Sequence, residues 1–413
     1  MSYKNIYILG VGGSGMSSIA KYLKQKGDNV IGYDQRKSYV TNLLNQDGIK
    51  VVYTLDEITY KPDSLYIYSS AIPIESDRFE DFYDKENVLS RPEYLNKLSE
   101  NHKIIGITGT HGKTSTTALL SHIFHFNNLN VSYLYGGITT FNGIGGHYGD
   151  PDQPLILETD EAFNTFEKIK ISDLLVLNVD SDHLDYFKNL DNYKDAFYKV
   201  MKNVTDNLVV NNDDLNIKSM KELKNPVSYS KDISADFQVQ SPGNFIYENN
   251  KYEIKSDIIG DHFKSNMLGA VILALLNGIE IKDSLNAIES FAGVKRRVEL
   301  IGISKGISIY DDYGHHPTEM EATITALKRQ TESKLYVVFQ PHRYTRTKDY
   351  FNSFKDSLKQ ADYAIVTDIY PAGELPIPGV SSKNFEEENI KYLKSIRYVP
   401  EYLSKKVQNG DIV

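Results

Sequence analysis

The run Gly109-Thr110-His111-Gly112-Lys113-Thr114-Ser115 joins small, turn-forming residues to a lysine and two hydroxyls. In such a run backbone N–H groups can cradle a phosphate, the lysine can reach the β- and γ-phosphates, and the following hydroxyl can ligate Mg²⁺. The chemistry needs a strand to lead in and a helix to follow, so that the helix N-terminus faces the anion. Ile104-Ile105 supplies the apolar lead-in, and Ala118–Phe124 reads as the helix. The spacing departs from the common phosphate loop, because Ile107 stands six residues before Lys113 where that loop has Gly. A tight turn without a ligand is the competing reading. Gly-Lys-Thr between strand and helix favours an ATP site.

A second glycine group, Gly10, Gly12 and Gly15 with Ser14, follows the apolar Ile6–Leu9 and precedes a helix pattern through Met16, Ile19, Tyr22 and Leu23. The next strand, Asn29–Asp34, ends on a carboxylate. Glycines in this order with an acid about 20 residues on form the dinucleotide-type fingerprint, where the acid meets a ribose hydroxyl. Close packing of helix on strand needs the same small residues, so this group alone leaves both readings open. Ser64–Tyr68 is a third strand, and Ser69-Ser70 lies at its carboxyl end, where open parallel sheets bind ligands.

Acidic groups close two further strands. Glu158, Asp160 and Glu161 follow Leu155–Leu157, and Asp180, Asp182, His183 and Asp185 follow Asp173–Asn178. Carboxylates can complete a Mg²⁺ shell that ATP partly fills, although solvated acidic loops look the same in sequence. Two such loops beside a phosphate loop favour the metal. Towards the C-terminus, Asp311-Asp312-Tyr313-Gly314-His315-His316-Pro317 forms a strand-to-helix turn, with a capped helix start as the plain alternative. Its spacing is not that of a zinc helix. His342, Arg343 and Arg346 follow the next strand, and a guanidinium pair suits a carboxylate.

The elements around these groups define the organisation. Three strand–turn–helix regions succeed one another, at 1–98, 99–297 and 298–413, giving an α/β chain of three domains. The loops at Gly136-Gly137 and Asn142–Gly149 are expected to be flexible, and Ala235–Ile259 to form short antiparallel strands. Lys264–Leu276 and Lys282–Phe291 are expected as helices. In the third region Ile307–Tyr310, Pro317–Lys328, Leu335–Phe339, Asp349–Leu358 and Tyr363–Thr367 predict βαβαβ with a parallel sheet, and Gly410–Val413 opens another strand.

Bulk composition excludes some classes. With 40% hydrophobic and 24% charged residues, the chain is an ordinary globular one. A net charge of −9 argues against a nucleic-acid partner. The absence of Cys removes disulfides, thiolate metal sites and Cys nucleophiles. No apolar run approaches the roughly 20 residues of a membrane span, and Met1–Asn5 leads straight into a strand without a leader. A cytoplasmic protein, monomeric or homodimeric, is expected.

Taken together these residues resemble the Mur ligases, three-domain ATP-dependent amide ligases of bacterial cell-wall synthesis. The matching runs are Gly10–Met16, Ser69–Ile72, Gly109–Thr116, Asn178–Asp185, Gly293–Arg297, Asp311–Pro317 and Phe339–Thr347, with Tyr370 and Ala372–Gly379 extending the match. Phe339–Thr347 and Ala372–Gly379 are similar to the members that add L-alanine to UDP-N-acetylmuramate. The resemblance implies a Rossmann-like N-terminal domain, a P-loop ATPase-like central domain and a Rossmann-like C-terminal domain. It implies that Gly10, Gly12, Ser14, Gly15, Asp34 and Ser70 hold the UDP-sugar. Gly109, Thr110, Gly112, Lys113, Thr114 and Ser115 would bind ATP, with His262 and Asn266 at the adenine and Arg297 and Asp312 at other parts of the nucleotide. Thr114, Glu158 and His183 would hold Mg²⁺. Tyr313, His315, His342, Arg343 and Arg346 would receive the amino acid, with Lys113, His315 and Arg346 catalytic.

The implied reaction passes through an acyl phosphate that the amine of L-alanine attacks, with domain closure excluding water. Phe263 replaces the family's usual Asn, Ala162-Phe163-Asn164 replaces the commoner Ser-Asp, and residues 136–149 lack the usual Asn-Ala pair. The family also continues past Asp411-Ile412-Val413 with a Gly-rich turn and a helix, so a truncated third domain is expected. Two alternatives stay open: a ligase that recycles whole peptides onto the same sugar nucleotide, and a non-catalytic nucleotide-binding protein.

Overall fold

The computed structural model describes residues 3–220 and 223–413. Met1 and Ser2, on which the reading of a leader-free start partly rests, lie outside them. The chain forms two compact units, residues 1–257 with 264–294 and residues 258–263 with 295–413.

The first unit holds two sheets. One has five parallel strands in the order Lys50–Val52, Val30–Tyr33, Asn5–Leu9, Ser64–Tyr68, Val88–Ser90. The helix Ser14–Gln25 returns from the first strand and buries Met16, Ile19, Tyr22 and Leu23, the spacing of one helical face. Ser90 opens the helix Arg91–Ser99 through a reciprocal cap with Glu93, and Pro92 occupies its first turn.

The second sheet has ten strands. Its parallel centre runs Asn207–Asn211, Asp173–Val176, Ile104–Thr108, Leu155–Glu158, Ser132–Thr139. Ile104–Thr108 is buried along its whole length, as a central parallel strand covered on both faces must be. One edge continues through Val227–Ser230 to the antiparallel strands Phe237–Ser241, Asn244–Tyr247 and Asn250–Glu253, as expected.

The other edge corrects the sequence reading. Residues 136–149 are not a flexible loop, because Ser132–Thr139 and Gly143–His147 pair as an antiparallel hairpin. Its glycines serve close approach rather than mobility: a Cβ on Gly146 would strike the backbone carbonyl of Ser18. The helix Ser14–Gln25 therefore lies directly on the hairpin, and buried Lys21 donates to the carbonyls of Asn142 and Ile144.

In the second unit Pro317–Lys328 is a helix, opened by His316 as its cap. The parallel sheet Tyr336–Phe339, Tyr363–Val366, Ile390–Tyr392 is also present. Two expectations change. Ile307–Asp311 pairs antiparallel with Glu299–Ser304, not directly with the parallel sheet. The last residues fill the space between. Tyr310 N–H donates to Val413 O (2.8 Å), Val413 N–H to Ser308 O (2.9 Å) and Tyr336 N–H to Ile412 O (2.8 Å), so residues 411–413 run parallel to both neighbours. The expected helix Asp349–Leu358 begins two residues later, as Phe351–Leu358, and a separate helix, Tyr344–Asp349, precedes it across Tyr350. Among the described residues no helix is long and apolar enough to cross a membrane.

Candidate active site

Gly112 adopts φ +85° and starts the helix Lys113–Phe126, a conformation that favours glycine. Gly109 also has positive φ, and a Cβ there would meet the Asn178 backbone at 3.1 Å. The loop is tied to the neighbouring strand end: Thr110 N–H donates to Asn178 O (3.1 Å), His111 N–H to Asn178 Oδ1 (2.8 Å) and Asp180 N–H to Thr110 Oγ1 (2.8 Å). Thr110 is thus buried in the loop's own framework, and Ser115 sits in the first helical turn. Asn266 packs its amide against Gly112, where a Cβ would collide with it.

Lys113 Nζ donates to Gly109 O (2.6 Å), Thr110 O (3.1 Å) and Glu161 Oε1 (3.0 Å). Burial lowers a lysine's pKa, but the Glu161 and Asp160 carboxylates outweigh it and hold Lys113 above its usual value. Burial pushes the Glu161 carboxyl up against the pull of Lys113, and Tyr193 OH also bonds Glu161 (3.2 Å). Thr114 Oγ1 donates to Glu158 Oε1 (2.7 Å), and the other Glu158 oxygen accepts from Gly136 N–H (2.6 Å).

Divalent-cation chemistry fits this donor set. Thr114 and Glu158 present two hard oxygens side by side. Asp160, Glu161 and His183 bring ligand atoms within 4.8 Å of one another. His183, at φ +52°, stands 3.9 Å from Glu161 Oε1 and from Asp182 Oδ2. Asp160 and Glu161 belong to the acidic loop that the sequence already offered to a metal, and the side chain of Asp185 lies outside the description.

The residues expected to hold the UDP-sugar gather at the carboxyl edge of the five-stranded sheet. Gly10 has φ +78°, and a Cβ there would meet Ser69 Cβ at 3.0 Å, so the loop carrying Ser70 abuts the glycine turn. Asp34 Oδ2 accepts from Gly12 N–H (2.8 Å), which fixes the turn from below. Ser14 Oγ lies 3.1 Å from where a Gly136 Cβ would be, and Arg91 Nε lies 2.7 Å from where a Gly15 Cβ would be.

The second unit holds the residues expected to receive the amino acid. The rings of Tyr313 and His315 are 5.3 Å apart, His315 and His342 6.3 Å, and His342 and Tyr370 5.6 Å. The Arg297 guanidinium lies 5.3 Å from the Tyr313 ring. Burial, followed by Arg346 and Arg343, lowers the His342 pKa. Asp312 accepts from Val298 N–H (2.8 Å) and Gly314 N–H (2.7 Å), which makes it a brace of the turn in this structure. Arg343 differs from the open pair inferred above: its Nε donates to Glu374 Oε1 at 2.6 Å. The His262 ring lies tilted against that of Phe263, their centroids 4.3 Å apart.

Comparison with known proteins decides the family. Three family descriptions match in order: Mur ligase family, catalytic domain, over residues 5–103; Mur ligase middle domain over 107–274; and Mur ligase, glutamate ligase domain, over 296–413. The UDP-N-acetylmuramate–L-alanine ligase of Caldicellulosiruptor saccharolyticus is 36% identical, covering 98% of this chain and 94% of that protein. The chain belongs to the Mur ligase family. A Mur ligase of the same name from Clostridium botulinum (strain Langeland) is 34% identical over 99% of this chain and 94% of its own. The MurC structure from Thermotoga maritima superposes with a TM-score of 0.81 at 24% identity, covering 99% of this chain and 94% of that one. The murein peptide ligase of Psychrobacter arcticus reaches 0.71 at 21% with the same coverage. These likenesses show the Mur ligase fold, with Rossmann-like and P-loop sheets as expected.

Sequence reasoning did not single out Glu161 as the partner of Lys113, Glu374 as the partner of Arg343, or Arg91. Glu161 and Glu374 lay inside quoted motifs. Arg91 stood at a recognised helix start, and only the fold brings it to Gly15.

Proposed function

We infer that the chain is an ATP-dependent ligase that joins L-alanine to the lactyl carboxylate of UDP-N-acetylmuramate in peptidoglycan precursor synthesis. The 36% identity across 98% of the chain to an enzyme of that name carries the reading. In the proposed division of labour residues 1–98 bind the UDP-sugar, 99–297 bind ATP and 298–413 bind the amino acid.

The lactyl carboxylate attacks the γ-phosphate, giving an acyl phosphate and ADP. Lys113 and the N–H groups of Gly112–Ser115 stabilise charge spreading over the transferred phosphoryl. Thr114, Glu158, Asp160, Glu161 and His183 are the residues that would hold Mg²⁺, which when bound neutralises phosphate oxygens. Arg346 orients the carboxylate of L-alanine, and Tyr313 and His342 wall its side chain. His315 Nδ1 lies 3.2 Å from Tyr313 O and 3.7 Å from Glu319 Oε2. Held there, His315 can accept the proton that the attacking amine loses. Phosphate leaves as the amide forms.

Phosphate release with ATP, UDP-N-acetylmuramate and a panel of amines tests the reading. L-Alanine should give the fastest release. A tripeptide acceptor outpacing it would replace the reading with peptide recycling, and no release with any amine would refute ligase activity.

A further inference from the structure

Arg91 opens the helix Arg91–Ser99 at the carboxyl end of Val88–Ser90. Its guanidinium occupies the space that a side chain at position 15 would take: Nε, Cζ and Nη2 lie 2.7, 3.0 and 3.1 Å from a Cβ built on Gly15. Its side chain is 21% exposed, and among the described residues its charged partner is Asp160, with Nη1 to Oδ2 at 3.9 Å. That distance neutralises charge without making a hydrogen bond. Nε is buried and has no hydrogen-bond partner among the described residues. A guanidinium carries five donors in a planar fork, and a fork whose buried Nε is unused suits an anion.

The surroundings name the anion. On one side lies the glycine turn of residues 10–15, which the ligase reading assigns to the UDP-sugar. On the other lies the transfer group, reached through a single residue: Gly136 donates to Glu158 and lacks the Cβ that would press on Ser14. A UDP-sugar seated on the turn must pass its carboxylate by Arg91 to approach Glu158 and Lys113. We propose that Arg91 binds the lactyl carboxylate of the UDP-sugar and aims it at the γ-phosphate. Resting on the ligase reading above, this role makes Arg91 a specificity residue, because UDP-N-acetylglucosamine lacks the lactyl group.

The test is calorimetry of both sugar nucleotides, without ATP, on the full chain and its Arg91→Ala and Arg91→Lys variants, beside steady-state phosphate release. The unmodified chain should bind UDP-N-acetylmuramate more tightly than UDP-N-acetylglucosamine. Arg91→Ala should erase about tenfold or more of that preference, the scale of one charge-assisted bond. It should raise the KM for UDP-N-acetylmuramate, with those for ATP and L-alanine within about twofold. Arg91→Lys should recover part of the loss, since it keeps the charge without the fork. A preference unchanged in Arg91→Ala, no preference in the unmodified chain, or three KM values rising together with a lowered Tm would each overturn the assignment. In the last case Arg91 would be a strut to Asp160. If the unmodified chain releases no phosphate, the ligase reading fails by itself, and the binding comparison still judges Arg91.

Discussion

Lys113 Nζ stands 3.0 and 2.9 Å from the two carboxylate oxygens of Glu161, a side chain only 1% exposed. The lysine expected at the γ-phosphate is thus already committed, to Glu161 and to two carbonyls of its own loop. Removing one partner of a buried pair strands the other.

Lys113→Ala should therefore fail twice. Turnover should fall on the order of 10³-fold or more, because the charge partner of the transferred phosphoryl is gone. Stability should fall by about 3 kcal/mol, the cost of an uncompensated buried carboxylate. Binding of the UDP-sugar, read by calorimetry, should change little. Near-normal turnover would remove Lys113 from the reaction.

Glu161→Gln tests the other half of the pair. It keeps the shape and removes the charge that competes with phosphate for Lys113. Nucleotide binding measured without added Mg²⁺ should strengthen by about threefold or more, since less attraction must be given up. Unchanged or weaker binding would mean that Lys113 and Glu161 do not part when phosphate arrives.

Much of this site was legible because its signals are local. Strand, glycine turn, Lys-Thr and helix are contiguous in sequence, and the carboxylates of Glu158 and Asp180 close predicted strands. The hairpin of Gly143–His147 was not legible. A glycine that lets another backbone approach and a glycine that lets a loop move look alike until Ser18 is seen against Gly146. The ties of Arg343 to Glu374 and of Arg91 to Gly15 join residues distant in sequence, and periodicity carries no such information. The strand Glu299–Ser304 escaped for another reason: its apolar Leu300, Ile301 and Ile303 are exposed, so it lacks the alternation of a half-buried strand.

Glu374 gives the acid-range prediction. Burial would raise its pKa, but bonds from Thr345 and the Arg343 guanidinium prevail and hold it at about 2. A folded-state pKa below the ordinary carboxylate value contributes stability that is complete above that value and lost as pH falls through the folded one. The Tm advantage of the unmodified chain over Glu374→Gln should be full at pH 6. It should shrink from about pH 4.5 to pH 2. An advantage independent of pH would show that the carboxylate charge is not what Arg343 uses.

Arg346→Lys addresses the acceptor. In the proposed reading Arg346 orients the carboxylate of L-alanine. A lysine retains charge and loses the planar fork. The KM for L-alanine should rise about tenfold or more, well beyond the changes for ATP and the UDP-sugar. Glycine should be a weak substrate and leucine a very poor one, on the proposed walling of the side chain by Tyr313 and His342. Equal rises in all three KM values would end the clamp assignment.

The strand made by residues 411–413 has a kinetic consequence. Ile412 bridges both Ser308 and Leu335, so among the described residues the two sheets of the second unit join through pairings that span about 80 to 100 residues of chain. Loop-closure entropy must be spent on those pairings before they return any stability. The Tyr336–Tyr392 strands can assemble early, whereas the Glu299–Asp311 ribbon must wait for its tie through Ile412. Refolding of this unit should be a slow phase, with Ser308 and Tyr310 amides the last of its sheet to gain protection from exchange.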